Sequence, residues 1–189
     1  MDIIHYNKPW KHFEVRDFLT SEELVEARTY FDTLSMPDGV TGDTNRKRNR
    51  HTLRILPDME KDSFTTKVID RFKELCTIIS TYSDEEDDIQ VEYDRMYPGW
   101  SWHIHQDDSV KKVSFIVHIS EKGHGTKLYH REDGRGFKRE VTWCPGGGGG
   151  FLNKEGTYHS WDTKKDDTIR KTILINKLQK GEIVVENEK

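Results

Sequence analysis

The sequence predicts an α+β, mainly β domain, and three observations predict it. Two N-terminal stretches place apolar residues at helical spacing. From Ile89 onward the pattern changes to about nine short alternating segments separated by turn residues, as in a sandwich or barrel. Eight Phe, seven Tyr and five Trp supply bulk for a core in a chain that is only 33% hydrophobic and 34% charged. At 189 residues the chain fits one domain, and no internal repeat is visible. Residues 1–88 read as a strand and helical support region, 89–178 as the β core and 179–189 as a C-terminal strand or tail.

Taken in order, residues 8–18 alternate enough to read as a first strand. Thr20-Ser21-Glu22-Glu23 then offers an N-cap and an acidic first turn. Leu24, Ala27, Tyr30 and Phe31 form the apolar face of a helix that Pro37-Asp38-Gly39 breaks. A polar, basic stretch covers 41–54. Phe64, Val68, Ile69, Phe72, Leu75, Cys76 and Ile79 form a second amphipathic helix, and the acidic run 84–88 reads as a solvated linker. Strands are expected at 89–96, 101–107, 112–119, 126–130, 137–143, 149–152, 157–161, 168–177 and 182–186.

Composition narrows the function classes. A net charge of −4 gives no global attraction to nucleic acid or anionic membranes. No apolar run approaches the roughly 20 residues that span a bilayer. Met1 to Tyr6 lack the basic-then-apolar pattern of a signal peptide, so a cytoplasmic protein is expected. Cys76 and Cys144 are too few and too far apart for a disulfide framework or a thiolate metal site, and each reads as a small buried hydrophobe.

The chemistry concentrates in Tyr97-Pro98-Gly99-Trp100-Ser101-Trp102-His103-Ile104-His105-Gln106-Asp107. On a strand, residues i and i+2 point to one face, which would let His105 and Asp107 reach one metal ion. His159 offers a third ligand downstream. Two histidines and one carboxylate with open positions form the facial triad of non-heme Fe(II) oxygenases. His103 shares the predicted face, so a His103/His105 ligand pair stays open. Arg170 and Thr172 lie on one strand face with Leu174, where an arginine and a hydroxyl would suit a carboxylate co-substrate.

These residues, in this order, resemble the 2-oxoglutarate- and Fe(II)-dependent oxygenases, and within them the prolyl 4-hydroxylase-like branch. The likeness runs from Pro9 to Leu178. It includes Pro9-Trp10 through Leu24, the Tyr97-Pro98-Gly99 turn before His105 and Asp107, Gly125 to Tyr129, and Gly150 to Asn153 leading to His159. The resemblance implies a double-stranded β-helix, or jelly-roll, core braced by the N-terminal helices. It also implies Fe(II) on His105, Asp107 and His159, with 2-oxoglutarate pairing with Arg170 and Thr172 and O2 filling the remaining position. Hydroxylation of a peptide or protein residue such as proline, with release of succinate and CO2, is the expected activity. His118 stands where many relatives carry a tyrosine that touches the co-substrate, and Tyr129 and Trp161 are further candidates to line its pocket.

For substrate contacts the candidates are Tyr97, Trp102, Arg46 and Arg48, the last two within the basic patch 45–51. That patch reads either as a recruiting surface for an acidic partner or as a solvated loop. The same chemistry on a small molecule or nucleobase remains open, as does a cupin-like metal- or sugar-binding protein without oxygenase activity. The run Gly146 to Gly150 lacks the lysine and following helix of a phosphate loop and reads as a flexible turn.

Overall fold

The computed structural model describes residues 1–36, 50–79, 88–163 and 168–182. It is mainly β, with two helices and two antiparallel sheets. The strands are β1 (Asp2–Tyr6), β2 (His12–Arg16), β3 (Arg50–Ile55), β4 (Asp88–Met96), β5 (Ser101–His105) and β6 (Lys111–His118). They continue as β7 (Lys127–Tyr129), β8 (Phe137–Glu140), β9 (Gly148–Leu152), β10 (Tyr158–Asp162) and β11 (Arg170–Leu178). Helices α1 (Ser21–Thr33) and α2 (Ser63–Ile79) lie before β4. The larger sheet runs β1-β2-β9-β6-β11-β4-β3 and the smaller β5-β10-β7-β8.

Helix α1 starts where its sequence asks it to. Thr20 accepts from the Glu23 amide and Glu23 accepts from the Thr20 amide, a capping box that satisfies two otherwise orphaned donors. Just before α2, Asp62 accepts from the Thr65 amide at 2.8 Å. Phe64, Val68, Phe72 and Leu75 of α2 and Ala27 and Phe31 of α1 are buried in one apolar cluster. That cluster takes one face of the larger sheet: Val91 and Tyr93, Val113, Phe115 and Val117, Ile173 and Ile175. Phe115 is central, its ring 4.9 Å from that of Phe18 and 6.3 Å from that of Phe72.

The opposite face of the same strands is polar and buried. Arg170, Thr172 and Asn176 alternate with the core residues of β11, Gln90, Glu92 and Asp94 with those of β4, and Arg50 is buried on β3. Asp94 receives Arg50 Nε at 3.0 Å, Arg50 Nη2 at 3.2 Å and the Thr52 hydroxyl at 2.6 Å. Glu92 receives Gln90 at 2.7 Å and pairs with Arg54 Nε at 3.2 Å. Register puts Arg50 and Arg170 on either side of Met96.

Several expected boundaries change. The strand expected over 8–18 is β2 alone, because Pro9 has no amide to give a ladder. The segment Asp2–Tyr6, not expected as a strand, pairs with β2. The basic stretch 41–54 contains β3, whose polar alternation hides a strand: its polar side faces Asp94 and Glu92, not water. Strand 101–107 ends at His105, and 137–143 ends at Glu140. In the expected strand 182–186, Glu182 is not in a strand and 183–186 lie outside the described residues, as do 84–87 of the acidic run. The glycine run is no flexible turn beyond Gly146: Gly148–Gly150 are buried in β9, and a Cβ on Gly148 would lie 2.0 Å from the Ile116 carbonyl oxygen. Cys76 is buried as expected, whereas Cys144 is only partly so.

Two stability outcomes follow from this packing. Thr20→Ala should lower unfolding free energy by about 1 kcal/mol through loss of the cap. Gly148→Ala should cost about 1–3 kcal/mol by overpacking, both read by urea unfolding.

Candidate metal centre and co-substrate pocket

His105 and His159 meet across the β5–β10 ladder as register partners, their ring centroids 4.3 Å apart. Asp107 joins them from the loop just past β5, so strand alternation is not what aims it. Two hydrogen bonds do: Ser114 Oγ on β6 donates to Oδ2 at 2.6 Å, and Lys111 Nζ donates to Oδ1 at 2.9 Å. His159 Nε2 lies 3.9 Å from Oδ1. One ligand atom from each of His105, Asp107 and His159 falls within 4.8 Å of the others, a cluster able to hold a metal ion.

Both imidazoles are held in the same way. His105 Nδ1 lies 3.0 Å from the His103 carbonyl, and His159 Nδ1 lies 3.0 Å from the Thr157 carbonyl. A carbonyl only accepts, so each Nδ1 carries the proton and each Nε2 lone pair is left for a metal. Burial, reinforced by His159, pushes His105 from 6.5 down to about 4. His159 is also lowered by burial, against the pull of Asp107. For Asp107, burial works upward, but the Lys111 ammonium, His159 and the Ser114 hydroxyl outweigh it and hold the carboxyl well below its ordinary value. Two neutral imidazoles and one carboxylate are the protonation states a divalent ion needs.

These side chains line a cavity of about 390 Å³ between the two sheets. Its walls include Ile116, Phe151 and Leu174, with Trp102 and Trp161 on one side and the Arg50–Asp94 pair beside Met96. Arg170 and Thr172 lie in the same wall. Arg170 is 1% exposed; its Nε donates to the His124 carbonyl at 3.1 Å, while Nη2 has no partner among the described residues. Its guanidinium lies over the rings of Trp161 and Trp143, at 5.1 and 5.3 Å. Burial lowers Arg170 to about 10, which leaves it charged at neutral pH.

The remaining candidates scatter. Trp161 and Trp102 both line the cavity. A register shift in the β5–β10 ladder pairs Trp161 with Trp102 and turns His103 outward to an exposed position, so the His103/His105 pair does not form a site. His118 faces Thr172 in register but lies outside the cavity lining. Its Nδ1 accepts from the Cys144 amide at 3.2 Å, its ring stacks on Trp143, and its Nε2 has no partner among the described residues. Burial and the nearby Arg170 charge push it down to about 3.

Tyr129 is outside the lining too, its hydroxyl 3.0 Å from Ser160 Oγ. Tyr97 packs on His51 instead. Arg46 and Arg48 lie outside the described residues. Sequence reasoning missed Lys111, Ser114, Arg50 and Asp94. The signal was present for Ser114 and Asp94, which alternate with core residues on strands and so point inward, and absent for Lys111.

A pH outcome follows for the metal-free protein. His105 titrates near 4 when folded and near 6.5 when unfolded. As pH falls, the unfolded chain takes up its proton first, so stability drains away from about pH 6.5 down through about pH 4. Between pH 7 and 5, His105→Leu should remove about 1–2 kcal/mol of that loss in urea unfolding. An undiminished loss would contradict a neutral His105.

No protein-family model matches the sequence, and no curated protein matches it either. Solved structures do match its fold. A prolyl 4-hydroxylase from Pseudomonas putida superposes with a TM-score of 0.68 at 15% identity, covering 89% of this chain and 92% of that one. A collagen prolyl hydroxylase of Paramecium bursaria Chlorella virus-1, solved with 2-oxoglutarate, gives 0.60 at 13% identity over 90% and 96%. A Trichoplax adhaerens prolyl hydroxylase, solved with a hypoxia inducible factor peptide, gives 0.63 at 15% identity over 88% and 83%. The chain has the fold of the 2-oxoglutarate- and Fe(II)-dependent oxygenases, in the form seen in their prolyl 4-hydroxylase branch.

Proposed function

We propose that the protein is a non-heme Fe(II)- and 2-oxoglutarate-dependent dioxygenase that hydroxylates a residue of a peptide or protein. One observation carries the reading: the cavity that holds the His105, Asp107 and His159 cluster also holds a buried arginine, Arg170, with an unsatisfied Nη2. A buried cation with a spare donor needs an anion, and a dicarboxylate reaching from the metal to Arg170 supplies it. A cupin-like binding module gives Arg170 no such task. On this reading the described strands form one oxygenase domain, and the two sheets are the halves of a double-stranded β-helix.

The residues divide the work. His105, Asp107 and His159 would hold the metal on one face, leaving its other positions open. Arg170 would fix the far carboxylate of the co-substrate by charge-assisted hydrogen bonds, with Thr172 beside it. His118, one strand over, has an unsatisfied Nε2 among the described residues but lies outside the cavity lining. Trp161, Phe151 and Leu174 give the cavity apolar walls that would limit water around the co-substrate, and Trp102 in the same lining is a candidate substrate contact. Iron, 2-oxoglutarate and O2 supply the oxidation itself, with loss of CO2, release of succinate and transfer of one oxygen atom to the substrate. A peptide-type substrate is supported by the bound peptide in the Trichoplax relative. Proline is the first residue to try.

Succinate formation from 2-oxoglutarate, with Fe(II) and proline-containing peptides, tests the proposal. Turnover should fall by about 10²-fold or more in Asp107→Ala, and a peptide should gain one oxygen atom by mass. Full turnover in Asp107→Ala would refute the metal assignment. In Arg170→Ala the KM for 2-oxoglutarate should rise by about tenfold or more, as loss of a charged hydrogen bond of about 1.5–3 kcal/mol requires.

A further inference from the structure

The carboxylate of Asp107 has two differently occupied oxygens. Oδ2 takes the Ser114 hydroxyl at 2.6 Å, a bond that positions the group. Oδ1 lies 3.9 Å from His159 Nε2, and it is the oxygen that Lys111 Nζ occupies at 2.9 Å. The two side chains of this ion pair are only 8% and 7% exposed, so water screens them little. Lys111 also lines the cavity in its own right, next to Asp108 at the rim.

We infer that Lys111 is a resident counter-cation: its ammonium holds Asp107 in place before a metal arrives and is displaced from Oδ1 when a divalent ion enters. The inference rests on the metal reading of this site. Without Lys111, the metal-free protein would bury the Asp107 carboxylate beside the Ser114 hydroxyl and the His159 ring with its paired cation removed, an uncompensated charge that a folded interior does not tolerate well. With it, the carboxylate is paired and aimed. The same arrangement sets a competition, because a metal bonded to Oδ1 would place two cations on one oxygen at low dielectric. The four-carbon stem of lysine lets the ammonium swing aside, and the exposed Asp108 carboxylate at the rim gives it a destination. Lys111 is thus a positioning residue, acting on the metal through Asp107.

Co(II) titration of the purified, metal-free protein tests this, using the visible absorption of the bound ion. Lys111→Met keeps the stem and removes the charge. It should bind Co(II) more tightly by about tenfold or more, since the competing cation is gone, while its metal-free form melts at a lower temperature. Lys111→Arg should restore the melting temperature and the weaker Co(II) binding. A Lys111→Met protein that binds Co(II) equally or more weakly would overturn the role of Lys111 alone. Absence of Co(II) binding by the wild type would remove the metal reading and this inference with it.

Wild-type protein keeps the test open where Lys111→Met does not fold. Acetylation of Lys111, read by peptide mass spectrometry, should rise severalfold on saturation with Co(II), as the ammonium leaves its buried bond. Unchanged or reduced labelling would overturn the displacement.

Discussion

The Asp107 carboxylate is the constraint on which the rest of the site depends. It is a nearly buried charge on a loop, with no ladder to hold it, and it must be both ionised and aimed. Ser114 from β6 and Lys111 from the start of the same strand meet both needs. Because β6 stands next to β11 in the larger sheet, the strand that orients the carboxylate is the neighbour of the strand that carries Arg170. The Asp107 carboxylate and the Arg170 guanidinium are therefore fixed in one frame. The histidines arrive from the other sheet, and the cavity is the space between the two.

That geometry needs a sheet with an apolar outer face and a polar inner one. The outer face, built on Phe115, Tyr93, Ile173 and Ile175, is anchored on α1 and α2 by burial of large apolar surfaces. The inner face buries Arg50, Glu92, Asp94 and Arg170 and keeps the first three in mutual ion pairs. A charge set of this kind contributes little net stability but leaves few ways to repack. Arg170 is a cation there whose Nη2 has no hydrogen-bond partner among the described residues.

Much of this was legible from residue order. The capping pattern from Thr20 to Glu23 and the apolar spacing of Phe64 to Leu75 located both helices, since local physics decides them. His105, Asp107, His159 and Arg170 were legible as a set from residue type and order, and the fold does bring them to one cavity. Strand β3 was not, because Arg50, Thr52 and Arg54 look like a solvated face until Asp94 and Glu92 are placed opposite them. Nor was the β5–β10 register shift, which exchanges His103 for Trp102 in the cavity; a bulge leaves no mark on hydrophobic periodicity. Lys111 was silent for the same reason: its meaning lies in a contact, not in a spacing.

An anaerobic titration of the purified protein with Fe(II) and 2-oxoglutarate tests the central claim most directly, watching for the visible charge-transfer band of the chelate. A saturable band is expected, absent in His159→Ala and reached in Arg170→Ala only at higher 2-oxoglutarate. Tight metal binding with no band at any 2-oxoglutarate concentration would contradict it.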